Sequence, residues 1–192
     1  MSFSTRRRRP ADEPPDGGSS GPDRDADPES VARAIVLRLL TGAPRSRHQL
    51  SEALASRDVP PDVSERVLDR FAEVGLIDDA EYAQMLVRSQ RESRGLARRA
   101  LAVELRRKGI NPEHAEQALS TVDDEAEEHT ARELLRRRWR AGPGVDPAVQ
   151  SRRALGMLAR KGYPPGLSSR LVREMVDDSG PEPWDAPAQD IE

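Results

Sequence analysis

Arginine is the residue whose type and spacing offer this chain most of its chemistry. Residues 86–108 hold Arg88, Arg91, Arg94, Arg98, Arg99, Arg106, Arg107 and Lys108 against only Glu92 and Glu104, a net charge of +6. Residues 131–163 hold Arg132, Arg136, Arg137, Arg138, Arg140, Arg152, Arg153, Arg160 and Lys161 against Glu133 and Asp146, a net of +7. A guanidinium is always charged, and its planar fork fits carboxylates and phosphates alike. Such segments recognise an anionic partner, either nucleic acid or an acidic protein surface, and charge does not separate the two. The plainer alternative is a solvated face, the usual place for arginine. Two dense basic segments beside acidic ends favour binding. The candidate contact residues are Arg88, Arg91, Arg99, Arg106, Arg107, Lys108, Arg136, Arg137, Arg140, Arg152 and Arg153.

Bond-making chemistry has no comparable footing. The chain has no cysteine, so disulfides, thiolate nucleophiles and cysteine-ligated zinc are excluded. His48, His114 and His129 lie far apart without ligand-like spacing. Neither a phosphate-cradling Gly-x-x-x-x-Gly-Lys loop nor a Gly-x-Ser-x-Gly turn occurs. Asp123, Asp124, Glu125, Glu127 and Glu128 form a carboxylate run. A hard-cation site needs converging oxygens, whereas a helix start attracts negative charge through its dipole, so a helix start is expected there. The reading is a protein that is not an enzyme, with no catalytic residue, metal or cofactor. No apolar run approaches the ~18 residues of a membrane span. Pro, Asp, Glu, Gly and Ser follow Arg6 to Arg9 where a signal peptide would be apolar. A cytoplasmic location away from membranes is expected.

The overall charge of −3 hides a segregation. Residues 10–30 sum to −6, residues 177–192 to another −6, and residues 31–176 to +5. Both ends are poor in apolar side chains and interrupted by proline, which predicts disordered acidic tails over 1–28 and 179–192.

Between the tails the signals are helical. Ser46 with Gln49, and Asp78 with Glu81, have capping-box spacing. Asn111 before Pro112 and Asp146 before Pro147 place a cap ahead of proline at the first helical position. Gly42, Gly75, Gly109 and Gly162 mark stops. Nine helices are predicted, near 30–41, 46–57, 61–74, 79–93, 96–108, 112–121, 124–140, 147–161 and 165–177.

These helices repeat. Leu54, Arg57, Asp58, Val59 and Pro61 match Leu105, Lys108, Gly109, Ile110 and Pro112, and both match Leu158, Lys161, Gly162, Tyr163 and Pro165, at spacings of 51 and 53. In each, a basic residue ends a second helix, the chain turns, an apolar residue plugs the corner and proline opens a third helix. About fifty residues bury too little alone, so repeats at 29–78, 79–122 and 123–178 are expected to stack. The fold class is all-α: three tandem three-helix repeats in an elongated curved array.

Val74-Gly75-Leu76-Ile77-Asp78-Asp79, then Tyr82 and Ala83, then Leu105 to Ile110, together resemble the signature of the RecX family, and the likeness covers about 31–176. It departs at Asp58, which stands for the corner glycine, and in the Gly- and Pro-rich stretch 141–148. The resemblance implies a modulator that lies in the groove of the RecA recombinase filament on single-stranded DNA. It further implies suppression of strand exchange, ATP hydrolysis and coprotease activity, with no catalytic residues.

Three aromatic residues complete the reading. Trp139 falls at the edge of an apolar stripe with Leu135 and Ala131, which favours packing over base stacking. Tyr163 takes the corner position of Val59 and Ile110. Trp184, in the acidic tail, is expected to be unstructured, with a short docking segment as the alternative. Exposed basic faces and the lack of a long apolar heptad suggest a monomer. The rival function is direct DNA binding by tandem helix-turn-helix-like units, against which stand Glu113 and Glu116 on the third helix of repeat two.

Overall fold

Among the described residues, six helices begin at a residue whose own side chain accepts from their unpaired N–H groups, and two begin at proline pairs instead, Pro60-Pro61 and Pro164-Pro165. The computed structural model describes residues 27–139 and 146–178. Among the described residues lie nine helices and no strand: α1 (Pro28–Gly42), α2 (Arg47–Ala55), α3 (Pro61–Glu73), α4 (Asp79–Arg94), α5 (Arg98–Arg107), α6 (Pro112–Leu119), α7 (Asp124–Arg138), α8 (Pro147–Arg160) and α9 (Pro165–Asp177). Ser46 and Gln49 form a reciprocal capping box, the Ser46 Oγ accepting from Gln49 N at 3.2 Å. Asp78, Asn111, Asp123 and Asp146 cap α4, α6, α7 and α8 through their side chains. The Asp78 cap makes only its own half of the expected box, accepting from Glu81 N at 2.9 Å. Gly42 is the last residue of α1 rather than a left-handed stop: Ala43, extended before Pro44, ends that helix.

The three corners close in one way. Val59 N donates to Leu54 O at 3.3 Å, Ile110 N to Leu105 O at 3.1 Å and Tyr163 N to Leu158 O at 3.1 Å. The residue before each plug has positive φ: Asp58 at 57°, Gly109 at 69° and Gly162 at 88°. Leu54, Leu105 and Leu158 are fully buried.

Helices pack chiefly within their own trio, α1 on α2 and α3, α4 on α5 and α6, and α7 on α8 and α9. Three apolar cores result. The first gathers Val36, Leu50, Leu54, Leu68 and Phe71, the second Tyr82, Leu101, Leu105 and Leu119, and the third Ala131, Leu135, Leu158 and Leu171. Ala97, which precedes α5, belongs to the third core, so that core crosses a repeat boundary. Residues 1–26 and 179–192 lie outside the described residues, as does Arg140; of the predicted N-terminal tail 1–28, Asp27 caps α1 and Pro28 opens it.

Candidate functional site: the arginine face across the second joint

What holds one trio to the next decides which arginines are free. The first residue of a helix has an N–H without an intrahelical acceptor. At α2 the Arg47 N–H donates to Asp79 Oδ1 at 2.8 Å, and at α5 the Arg98 N–H donates to Glu127 Oε1 at 2.7 Å. In both cases the carboxylate comes from the first helix of the next trio. The corner then seats against the same place: Ser46 Oγ donates to Lys108 O at 2.6 Å, and Ala97 N donates to Lys161 O at 2.9 Å. A Cβ on Gly109 would stand 2.2 Å from His48 Cγ, and one on Gly162 only 2.7 Å from the Ala100 backbone nitrogen. These glycines therefore serve both the turn and the close approach.

The second joint carries further bonds. Arg91 Nη2 donates to Ala126 O at 3.1 Å and to Thr130 Oγ1 at 3.3 Å. The Tyr163 hydroxyl, its pKa raised chiefly by burial and secondarily by Glu127, donates to Gly95 O at 3.1 Å. Lys161 Nζ donates to Arg94 O. Its ammonium pKa is lowered first by burial and then by Arg138 and Arg94, which puts positive potential on both sides of the joint.

The candidate contact residues divide accordingly. Arg91 is spent inside the joint, half-buried. Lys108 is half-buried, its carbonyl taken by Ser46. Arg107 pairs with Glu104 at 3.1 Å and Arg136 with Glu133 at 3.1 Å, each on its own helix. Arg88, Arg99, Arg106, Arg137, Arg152 and Arg153 are exposed and have no acidic partner within salt-bridge distance among the described residues.

Two residues outside that candidate set join them. Arg138 and Arg160 are exposed and unpaired with an acid among the described residues. A hollow of about 590 Å³ between the end of α7 and α8 is lined by Arg137, Arg138, Arg153 and Arg160, with Trp139 on its wall. A second, of about 460 Å³, lies over the joint between α5 and α8 and is lined by Arg94, Arg99 and Arg160. Arg160 borders both, so the two basic segments meet in one arginine band. The only signal for Arg160 in the sequence is its place two residues after Leu158, the corner register that Arg107 holds after Leu105.

The carboxylate run resolves into separate tasks. Asp123 caps α7, Glu127 is buried in the joint, and Glu128 pairs with Arg170 at 2.6 Å and Arg132 at 2.7 Å. Hydrogen bonds from those two guanidiniums hold the Glu128 carboxyl at about 2. Trp139 is half-buried against the third core. On α6, Glu113, Glu116 and Gln117 face solvent.

Family models match the chain three times: RecX, first three-helix domain, over residues 32–71; RecX, second three-helix domain, over 78–119; and RecX, third three-helix domain, over 125–172. The Regulatory protein RecX of Streptomyces coelicolor is 50% identical over 171 residues, 86% of this chain and 91% of that one. That of Thermobifida fusca is 51% identical over 168 residues, 88% and 89% of the respective chains. In fold, a crystal structure of RecX from Lactobacillus salivarius superposes with a TM-score of 0.68 at 21% identity, covering 79% of this chain and 98% of that one.

Proposed function

This chain belongs to the RecX family of regulatory proteins, and from that premise we propose that it binds the RecA recombinase filament on single-stranded DNA and restrains it, lowering ATPase, strand-exchange and coprotease activity. The observation that supports this reading best is the band of acid-free guanidiniums running through Arg99, Arg160, Arg153 and Arg137. Arg99 follows the Arg98–Glu127 tie directly, and Arg160 immediately precedes the corner whose carbonyl Ala97 holds. Their spacing is set by main-chain bonds rather than by mobile loops. A preorganised charged surface loses little entropy on docking, and it acts by occupying the filament rather than by turning over a substrate. Phosphates of the single strand or carboxylates of the recombinase would both satisfy it. The solvent-facing Glu113 and Glu116 on α6 oppose approach of that helix to duplex phosphates, which counts against the helix-turn-helix-like reading.

The test is recombinase ATPase activity on single-stranded DNA with this protein titrated in from far below stoichiometry. The double variant Arg99→Glu, Arg160→Glu should need about tenfold more protein for the same inhibition, equivalent to about 1.4 kcal/mol. Arg38→Glu, the same charge change at an exposed arginine of α1, should behave as the parent chain. Undiminished inhibition by the double variant would discard this face and leave the filament reading. No inhibition by the parent chain, with tight DNA binding retained, would replace that reading with direct DNA binding.

A further inference from the structure

The hollow of about 590 Å³ between the end of α7 and α8 joins charge to an apolar floor. On α8, Gln150, Arg153, Ala154, Met157 and Arg160 recur at the three- and four-residue spacing of one helical face. On α7, Leu135 and Arg138 share a face, and Trp139 ends the helix. Leu135 and Met157 are buried and make the floor, while Arg137, Arg138, Arg153 and Arg160 are exposed and make the rim. Among the described residues no carboxylate lines the hollow, and none pairs with those four guanidiniums. Four like charges without a counter-charge raise a potential that an anion relieves. Trp139 adds what charge alone does not require. It packs against the third core, as its spacing predicts, yet it is only half-buried and stands on the wall of the hollow. An aromatic wall beside arginines suits a ligand that carries a flat ring and a phosphate in one unit.

We propose that this hollow seats one nucleotide of a single strand, its base against Trp139 and its phosphate among Arg137, Arg138, Arg153 and Arg160. The volume lies within the range of about 300–1,000 Å³ typical of small-ligand sites. A duplex keeps its bases paired and stacked inside, so an unpaired base is the one that reaches the indole. A carboxylate side chain satisfies the guanidiniums but offers the indole no flat surface. Every base has a π-face, so the seat accepts any sequence. Arg160 also borders the hollow that holds Arg99, so the neighbouring phosphates of the strand follow the same arginine band. This deepens the filament reading and rests on it for the strand as the source of the nucleotide. It assigns the part of the band between α7 and α8 to the strand rather than to the recombinase.

The test contains no recombinase, so the seat and the filament reading can fail separately. In the full chain carrying Trp184→Phe, Trp139 is the one remaining tryptophan. A short oligodeoxythymidylate should quench its emission. An abasic strand with the same number of phosphates should bind about tenfold more weakly and without quenching, the share of one stacked base. Trp139→Leu should weaken oligonucleotide binding by a similar factor and leave its salt dependence unchanged. Arg153→Glu should weaken binding of both strands and flatten the salt slope, since phosphate contacts release counterions and stacking does not. Circular dichroism checks that both variants keep their helicity. Equal affinity and equal quenching with the abasic strand overturn the seat for a base, a result that needs no variant in the hollow. Polyglutamate bound as tightly as the oligonucleotide overturns it in favour of an acidic protein partner. Free thymidine monophosphate bound as tightly as the strand would assign the seat to a free nucleotide and overturn the single strand as its source.

Discussion

The two joints between trios share a backbone plan and differ in everything attached to it. In both, a carboxylate from the next trio takes the first N–H of a second helix, and a corner carbonyl accepts a bond from the residue just before that helix. The first joint is finished by polar and aromatic side chains: Ser46, His48 beside Gly109, and the Tyr82 hydroxyl donating to Gln49 Oε1 at 3.1 Å. The second is more charged and meets backbone at its corner glycine. Gly162 faces backbone at Ala100, Glu127 is buried, Arg91 crosses over, and free arginines stand on the rim. Among the described residues no trio precedes repeat one to receive its corner, and there Asp58 holds the glycine position at φ 57°. The left-handed turn alone tolerates Asp at some cost; turn and contact together demand glycine.

That comparison can be broken at the glycines, where the largest effects are expected. Gly162→Ala should cost about 2–4 kcal/mol, because positive φ is unfavourable for Ala and the new Cβ meets backbone that cannot turn aside. Gly109→Ala should cost a comparable amount, about 2–4 kcal/mol, since its Cβ would stand 2.3 Å from the Cβ of His48, which side-chain rotation does not move. Asp58→Gly should change stability by less than about 1 kcal/mol. Urea denaturation of the three variants supplies the order, and equal costs for Gly162→Ala and Asp58→Gly would refute the account of the joint.

A medium effect is expected at the carboxylates. Glu127→Ala leaves the Arg98 N–H without its acceptor in a closely packed joint and should cost about 1–3 kcal/mol. Asp79→Ala, at the half-exposed equivalent, should cost about 0.5–1.5 kcal/mol. A larger loss at Asp79, measured by the same denaturation, would reverse the ranking of the two joints.

The smallest effect belongs to Glu128, next in sequence to Glu127 but in a surface network. Its carboxyl is held at about 2 in the folded chain, against an ordinary 4.5, first by Arg170 and then by Arg132. A lowered folded pKa stabilises above the ordinary value, and that stability is lost as pH falls from 4.5 toward 2. Glu128→Gln should therefore lower Tm modestly at neutral pH, modestly because solvent screens the pair, and converge on the parent chain as pH falls toward 2, flattening the acid limb in that window. An unchanged acid limb would show that the Arg132–Glu128–Arg170 network contributes nothing to folding.

Much of this was legible in the residues. The caps Ser46, Asn111, Asp123 and Asp146, the buried Leu54, Leu105 and Leu158, and the three corners follow from contacts between residues at most six apart along the chain. The pairing of Arg107 with Glu104 and of Arg136 with Glu133 was open to the same reading, since residues three apart on a helix are neighbours. The charge excess of the middle of the chain is likewise a property of composition.

Only the tertiary structure decided which of those charges are available. Arg88 and Arg91 lie three residues apart on α4, yet one faces solvent and the other binds Ala126 O and Thr130 across a joint. Adjacent Glu127 and Glu128 part in the same way, into a buried tie and a surface ion pair. Arg99 and Arg160 stand together because Gly162 lets the third trio approach Ala100, a contact between positions 62 residues apart. Local propensity acts over a turn or two of chain, so the sequence by itself determined the helices, their ends and the threefold repeat. Which guanidiniums remain without a carboxylate depends on groups brought close by packing, and the joints alone settled that.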